Sequence, residues 1–294
     1  MSGVTRNRYL SFIGCGRAGR ALGCLWRQQG TFQIGQVLTR SLDSARTAVS
    51  QVGAGEAVDD FSKLRQADVY LIATQDRELG AVAKRLAGSS LAGAETTVFH
   101  LSGAESSALF SDSGLSGPVA SVHPLRSFGD FMESVSGFRG TWCGCEGDVA
   151  ALDILRPAFE AIGGRTFDIP PERKLAYHAA SVMVSNYLNA LVASAIKAYG
   201  YAGIDADTAT QLATPILRNT MENILQLGPQ AALTGPIARG DRELVGRELD
   251  MLRAMDPELA EVYRLLGKRT LELAVEGGRL TSEDRESLDR IFGS

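Results

Sequence analysis

The stretch of sequence that decides the fold runs from Tyr9 to Gly23 and reads YLSFIGCGRAGRALG. A short apolar run, typical of a buried strand, ends in glycines at G-x-G-x-x-G spacing, and a helix-compatible segment follows. Gly14 permits a tight turn, Gly16 lets the backbone approach a pyrophosphate, and Gly19 lets the helix pack closely on the strand. The free N–H groups of the new helix then face the phosphates. The pattern predicts a dinucleotide-binding unit, and a strand–helix turn with a structural role alone is the alternative.

Length, composition and charge limit the classes of protein to which the chain can belong. The chain has 294 residues, of which 45% are hydrophobic and 22% charged, as in ordinary globular proteins of about two domains. A net charge of −4 gives no bulk electrostatic reason to bind nucleic acid or an anionic membrane. No apolar run approaches the roughly 20 residues that span a bilayer, and residues 1–8 lack the apolar segment of a signal peptide. We expect a cytoplasmic protein with a small-molecule substrate.

The four cysteines do not indicate a metal site or a disulfide framework. Cys143 and Cys145 lack a second ligand pair at zinc-site spacing, and Cys15 is a small residue inside the glycine turn. We therefore expect reduced cysteines and no bound metal.

The pattern of the sequence changes near residue 170. Up to that point, short strand-like runs at 33–39, 68–73, 96–101 and 119–122 alternate with helical stretches, the rhythm of a parallel sheet. Beyond it, helical periodicity continues almost to the end. The fold class predicted is α/β, with a doubly wound Rossmann-type domain over 1–170 and an all-α domain over 171–294. Ligands of such sheets bind at the carboxyl ends of the strands, which are followed here by Thr74, Gln75, Asp76, Ser102, Gly103 and His123.

The end of the second strand distinguishes between two dinucleotides. An acidic residue that would bind the ribose hydroxyls of NAD is missing there, since Asp43 lies too far along. Arg40 and Ser41 instead suit a 2′-phosphate, although Arg40 is alternatively an ordinary solvated arginine. We therefore predict NADP(H) as the cofactor. The residues expected to bind it are Gly14, Cys15, Gly16, Arg17, Ala18, Gly19, Arg40, Ser41, Thr74, Gln75, Ser102 and Gly103.

A long helix that begins at Lys174 carries the residues expected to do the chemistry. Apolar residues cover most of its circumference, so we expect it to be buried on most sides. One narrow stripe is polar and either lines a cleft or packs against another helix. The stripe consists of Lys174, His178, Ser181, Ser185 and Asn189, with Asn186 at its margin.

A hydride donated to a carbonyl leaves an alkoxide that must gain a proton. His178 is the first choice of donor because the ordinary pKa of histidine lies near physiological pH. Lys174 is the second choice if burial lowers its pKa. Ser181 or Asn186 can hold the substrate oxygen, and Ser185 is a further substrate contact.

Two loops supply further candidates for substrate binding. His123 either contacts substrate or caps the turn that Pro124 sets, whereas His100 is more plausibly structural. Arg239, in the loop 233–241, can clamp a carboxylate bidentately, or it forms a surface pair with Asp241.

Several motifs together resemble one known family. They are the glycine fingerprint, His-x-Ser-Gly at 100–103, His-Pro-Leu at 123–125, Tyr-His-Ala-Ala with Ser-Asn at 177–186, and Leu-Thr-Gly-Pro-x-x-Arg-Gly-Asp at 233–241. The chain resembles bacterial proteins in which a Rossmann-like domain precedes a DUF2520 domain. Its wider relatives are the 6-phosphogluconate dehydrogenase-like, ketopantoate reductase, pyrroline-5-carboxylate reductase and F420-dependent NADP reductase groups. The resemblance implies a nicotinamide cofactor in the domain cleft and a helical domain that often mediates dimerisation.

One departure from the wider relatives affects the proton donor. The β-hydroxyacid dehydrogenases have a lysine followed by an asparagine one turn later, whereas here Lys174 is followed by His178. The leading prediction is an NADPH-dependent reductase of a small carboxylated keto acid, such as one like ketopantoate. The alternatives are a cyclic imine reductase and a non-catalytic, NADP-binding regulatory or scaffold dimer.

Overall fold

The computed structural model describes residues 8–293 as eight strands, twelve α-helices and three short 3₁₀ turns. The strands are β1 (Tyr9–Ile13), β2 (Gln33–Leu38), β3 (Glu56–Val58), β4 (Val69–Ile72), β5 (Thr97–His100), β6 (Val119–Pro124), β7 (Trp142–Gly147) and β8 (Arg165–Asp168). The helices are α1 (Arg17–Gln29), α2 (Leu42–Val52), α3 (Asp76–Ala87), α4 (Ala108–Ser111), α5 (Phe131–Ser136), α6 (Val149–Ala161), α7 (Lys174–Tyr201), α8 (Ala206–Leu227), α9 (Pro229–Ala232), α10 (Arg242–Met255), α11 (Pro257–Glu276) and α12 (Ser282–Gly293).

All eight strands form one sheet, in the order β3-β2-β1-β4-β5-β6-β7-β8. The first six strands are parallel, β7 runs antiparallel to β6, and β8 is parallel to β7. The carboxyl ends of β1, β2, β4, β5 and β6 therefore share one edge of the sheet. Such an edge is where parallel α/β sheets bind their ligands.

Both faces of the sheet are covered, as in a doubly wound fold. On one face, Phe12 and Leu71 belong to a core with α1 and α6, in which the Trp26 ring meets three phenylalanine rings edge-on. On the other face, Ile13 and Ile72 pack with residues of α3 and α4. Central strands such as β4, with the sequence VYLI, are buried along their whole length. The predicted fold class, a Rossmann-type sheet followed by helices, is confirmed.

The chain divides into two compact units within α7, between Met183 and Val184. The sequence-based boundary lies earlier, between residues 170 and 171. The first unit contains the whole sheet together with the first ten residues of α7, 174–183. The second unit is helical, and its core includes Val245, Leu271 and Phe292.

Helix α7 is much more exposed than its composition suggested. Lys174 is its one buried residue among those described, so the expectation of a helix buried on most sides is wrong. By length and composition, the stretch Pro171–Tyr201 is also long and apolar enough to cross a membrane, since an 18-residue window within it has a mean hydropathy of 1.4. This corrects the expectation that no run is apolar enough, although a single such helix is weak evidence of a membrane span.

Candidate active site at the carboxyl ends of the strands

The glycine turn after β1 leaves an open backbone surface. Gly14 has a φ of +79°, and a Cβ there would lie 2.8 Å from the Thr74 methyl carbon, so both conformation and space require glycine. At Gly16 an added Cβ would meet nothing within 4 Å. Since Gly16 has no side chain to cap the first turn of α1, the N–H groups of that turn remain available to an anion.

The tightest contact between α1 and the sheet is not at the predicted glycine. A Cβ at Gly19 would lie 3.4 Å from Cys15 Sγ, which is ordinary contact. At Gly23 it would lie 3.0 Å from both Phe12 and Val52. Gly23 therefore does more for the close packing of α1 than Gly19 does.

A cavity of about 190 Å³ lies over this turn. Its lining joins the glycine turn to the ends of β4 and β5, and six of the predicted cofactor-binding residues line it. They are Gly16, Arg17, Ala18, Gly19, Thr74 and Ser102. Asp76, which the sequence places at the ligand edge without a role, also lines the cavity and accepts a 2.7 Å hydrogen bond from the Ser102 hydroxyl.

The other predicted cofactor residues lie at the first turns of neighbouring helices or inside the glycine turn. Ser41 caps α2, where its hydroxyl accepts a hydrogen bond from Ser44 N. Arg40 is exposed, and its guanidinium has no ion pair among residues 8–293. Gln75 precedes α3 and is exposed. Cys15 is buried, and burial raises the pKa of its thiol to about 12, so it is not a reactive thiolate.

The turn after β5 is held in one conformation by its own hydrogen bonds. Ser102 N donates to His100 Nδ1 at 3.1 Å, and the Ser102 hydroxyl accepts from Ala104 N and Glu105 N. Burial lowers the pKa of His100 to about 3, and Lys174 adds to that effect. His100 is therefore a neutral acceptor that orders this turn, as its structural interpretation predicts.

Two imidazoles lie against Gly103 and a phenol contacts one of them; we call His123, Tyr177, His178 and Gly103 the imidazole cluster. His123 Nδ1 lies 2.8 Å from the Tyr177 hydroxyl, and the His123 and His178 ring centroids are 6.2 Å apart. A Cβ at Gly103 would lie 2.7 Å from His178 Nδ1 and 2.8 Å from His123 Cε1. Only glycine fits there without displacing a ring.

Burial governs the protonation of His123. Burial lowers the pKa of His123 to about 4, and Lys174 and His178 add to the effect, so this ring is neutral at physiological pH. The Nδ1 of His178 is buried and has no hydrogen-bond partner within the described chain. An orphaned ring nitrogen beside a backbone turn is a common feature of a ligand site.

Behind this cluster, Lys174 forms a network that is closed to solvent; we call Lys174, Glu146, Ser121 and the Ser102 carbonyl the anchor cluster. Lys174 Nζ donates to the Ser102 carbonyl at 3.0 Å, to Glu146 Oε1 at 3.2 Å, and to the Ser121 hydroxyl. Glu146 also accepts from Ser107 N and from its hydroxyl, at 2.8 and 2.7 Å. The Lys174 and Glu146 side chains are only 1% and 2% exposed.

Strand register explains why the anchor cluster forms. His100 pairs with Ser121 across β5 and β6, and Ser121 pairs with Glu146 across β6 and β7. Three polar side chains thus stand in a row across a buried part of the sheet. Burial lowers the pKa of Lys174, while the facing Glu146 carboxylate opposes that change.

The remaining predicted residues separate into two groups. Ser181, in the first unit, donates to the Tyr177 carbonyl at 3.0 Å. Ser185, Asn186 and Arg239 belong to the second unit, and each is exposed. Asp241 caps α10, so its side chain contacts Leu244 N.

Sequence reasoning missed several side chains at the site. They are Tyr177, Ser121 and Glu146. Tyr177 stands next to His178 in a quoted motif, which was the available signal. Glu146 is a lone carboxylate in a short strand and gave none. Arg126 follows His123 by three residues, and its Nη1 atom is buried without a partner in the described part of the chain.

Fold and site together define a class: a Rossmann-type protein whose open glycine turn adjoins a cluster that contains two imidazoles. A family model, "Domain of unknown function (DUF2520)", matches residues 141–270. A Thermotoga maritima protein of known structure is 30% identical, with 90% of this chain and 98% of that chain covered and a TM-score of 0.69. The chain belongs to the DUF2520 family.

More distant structures share the fold. A candidate NADP oxidoreductase from Bacteroides fragilis is 23% identical. The match covers 90% of this chain and 98% of that chain, with a TM-score of 0.75. A pyrroline-5-carboxylate reductase from Coxiella burnetii is 18% identical, with 92% and 99% covered and a TM-score of 0.57. No curated protein matches the chain.

Proposed function

We propose that this protein is an NADP(H)-dependent oxidoreductase that reduces a small carboxylated keto acid, with a ketopantoate-like compound as the leading example. The observation that carries the proposal is the position of the Ser102–Gly103 turn. Ser102 lines the cavity over the glycine turn, and Gly103 lies against the rings of His123 and His178. A cofactor site and a proton-bearing site therefore share one two-residue turn.

The cofactor fits residues that are present in the first unit. The open backbone at Gly16 and the first turn of α1 suit a pyrophosphate, and the unpaired Arg40 beside Ser41 suits a 2′-phosphate. The names of the B. fragilis and C. burnetii structures support the same class of chemistry. When bound, a reduced nicotinamide supplies a hydride to an electrophilic carbon.

The imidazole cluster supplies the proton that a reduced carbonyl needs. His178 is the donor we propose, because its Nδ1 has no protein partner and lies at Gly103. The Tyr177–His123 hydrogen bond is a second path for a proton, at 2.8 Å. Glycine at position 103 lets the backbone approach both rings closely.

A carboxylated substrate also needs a cation, and we propose Arg126. Its buried, unpartnered Nη1 follows the His123 strand end, and a guanidinium binds a carboxylate through two parallel hydrogen bonds. Arg239 of the second unit stays a proposed carboxylate contact, as the sequence predicts. Ser181, Ser185 and Asn186 likewise stay proposed substrate contacts.

A cyclic imine is the second candidate substrate, favoured by the name of the C. burnetii structure. An iminium gains a hydride without creating an alkoxide, so it makes less demand on His178. A regulatory dimer that binds NADP without turnover is the third. We further propose that the protein is a cytoplasmic homodimer that associates through its helical unit.

The cofactor proposal is tested by fluorescence titration with NADPH and NADH. Arg40→Ala is expected to weaken NADPH binding roughly 10- to 150-fold, since a charge-assisted hydrogen bond contributes roughly 1.5–3 kcal/mol, and to leave NADH binding unchanged. Arg46→Ala is the matched control, because Arg46 is an exposed arginine on α2 that pairs with Asp43. Tighter binding of NADH than of NADPH by the unmodified protein would contradict the proposal.

The reaction is tested by NADPH oxidation with a panel of keto acids and cyclic imines. With a keto acid, His178→Ala is expected to lower kcat about 10²- to 10⁴-fold. With an imine, the same variant should keep most of its activity. Cofactor binding without turnover on any compound would favour the regulatory dimer.

A further inference from the structure

The contacts of Lys174 leave it no proton to give. A protonated lysine has three N–H donors, and here their three acceptors are the Ser102 carbonyl, the Ser121 hydroxyl and Glu146 Oε1. The side chain is 1% exposed. Its donors therefore point into the sheet, and none is directed toward the space beside Gly103.

Each partner of Lys174 lies next to a member of the imidazole cluster. Ser121 is two residues before His123 on the same strand, so both side chains lie on one face of the sheet. Ser102 directly precedes Gly103. On α7 itself, Tyr177 and His178 follow Lys174 by three and four residues, which places them one helical turn away on the same side.

We propose that Lys174 is a positioning residue: with Glu146, it fixes the first turn of α7 to β6, β7 and the turn after β5, and so holds Tyr177 and His178 against His123 and Gly103. The proposed reduction gives this arrangement its purpose, and to that extent the inference rests on the proposed function. Its test needs neither cofactor nor substrate, so the two can fail separately.

The rival explanation is that the pair only stabilises the fold. A buried ion pair is weak evidence for that, because apolar residues of similar volume often stabilise as well or better. Apolar contacts, however, are not directional and do not fix the orientation of the start of α7. Three hydrogen bonds, to the turn after β5, to β6 and to β7, set both the position and the rotation of the helix start.

The test is the hydrogen bond between His123 and Tyr177, followed by NMR of ¹⁵N-histidine-labelled protein. The chain has three histidines, so the ring-nitrogen spectrum is simple, and His123→Asn assigns the signal of interest. Tyr177→Phe defines the ¹⁵N shifts of a His123 ring whose Nδ1 has lost its partner. The positioning variant is Lys174→Met combined with Glu146→Gln, which removes the ammonium without leaving a buried carboxylate unpaired.

The matched control is Lys63→Met. It makes the same chemical change in an exposed pair, in which Lys63 is 58% exposed and lies 2.7 Å from Asp59. We expect the double variant to fold, as judged by circular dichroism, and to show the His123 shifts of Tyr177→Phe. The control should keep the spectrum of the unmodified protein.

Three results would overturn the inference. The first is a folded double variant with unmodified His123 shifts, and the second is a Tyr177→Phe spectrum that does not differ from that of the unmodified protein. The third comes from the unmodified protein and applies even if the double variant does not fold. Three occupied acceptors predict a slowly exchanging Lys174 ammonium signal at pH 7, and its absence would show that the network does not hold.

Discussion

The two halves of α7 differ more in their surroundings than in their sequence. At its start, Lys174 is buried and bound to β6, β7 and the turn after β5, and Tyr177 and His178 are half-buried against His123. A few residues later, Met183 is 63% exposed and Val184 75% exposed. Both halves are apolar helix with short polar residues at the same spacing. The surface that each half meets therefore decides its role, and the periodicity does not.

Removing the charge of Lys174 tests the buried half most severely. Lys174→Met leaves the Glu146 carboxylate buried without its partner, and breaking such a pair from one side costs roughly 3–5 kcal/mol in the free energy of unfolding. Urea unfolding monitored by circular dichroism measures it. Lys63→Met, in an exposed pair, should cost at most about 1 kcal/mol. Equal losses of unfolding free energy in the two variants would contradict the expected difference between a buried and an exposed ion pair.

Acid should weaken the surroundings of that buried half through two strand histidines, His123 and His100. The pKa of His123 is lowered to about 4, chiefly by burial, against roughly 6.5 in an unfolded chain. Below pH 6.5 the unfolded state binds the proton first, so stability falls until about pH 4 and changes no further from this group. The loss from His123 is about 3 kcal/mol, and His100 adds to it.

Comparing the unmodified protein with His123→Asn isolates that contribution. The variant has no titrating ring at position 123, so its unfolding free energy should decline less between pH 7 and pH 4.5. Parallel pH profiles for the two proteins would mean that His123 is not held neutral by its surroundings.

Replacing glycine with alanine should change the free energy of unfolding in opposite directions at Gly103, in the buried site, and at Gly200, near the end of α7. At Gly103 the new methyl group would overlap His178 and His123, and overpacking of this kind costs roughly 1–3 kcal/mol. At Gly200, near the end of α7, a Cβ would meet nothing within 4 Å, so alanine should stabilise the helix by about 0.5–1 kcal/mol. Thermal unfolding of both variants gives the comparison, and a Gly103→Ala protein of unchanged stability would contradict it.

The sequence predicted those parts of the molecule that depend on local pattern. The glycine turn, β4 and β5 follow from apolar runs and turn residues, and the prediction of a Rossmann-type sheet is confirmed. The short strands β3, β7 and β8 were not singled out. β7 reads WCGCEG and gains its place from pairing with β6, which is a long-range contact.

Site residues were predictable where they follow a strand and unpredictable where they meet across the sheet. Ser102 and Gly103 were found because ligands collect at strand ends. Glu146 and Ser121 were not, because their pairing depends on the register of two antiparallel strands. Lys174 was singled out as a possible acid, but its burial against those two residues gives it a different part in our proposal. The exposure of α7 was also missed, since an apolar helix by itself does not reveal what covers it.

The smallest change in the folded chain is expected at the exposed half of α7. Val184→Glu replaces a side chain that is 75% exposed, so unfolding of an isolated chain should change by less than about 0.5 kcal/mol. If two copies pair through this face, as we propose, the buried carboxylate would instead prevent pairing. Light scattering after size exclusion, over a range of protein concentrations, separates the two outcomes.

Val149→Glu is the matched control, because Val149 on α6 is equally exposed and lies in the first unit. We expect Val184→Glu to yield a monomer and Val149→Glu to retain the unmodified protein's mass, whereas the same mass for all three proteins would exclude this face of α7 from the dimer.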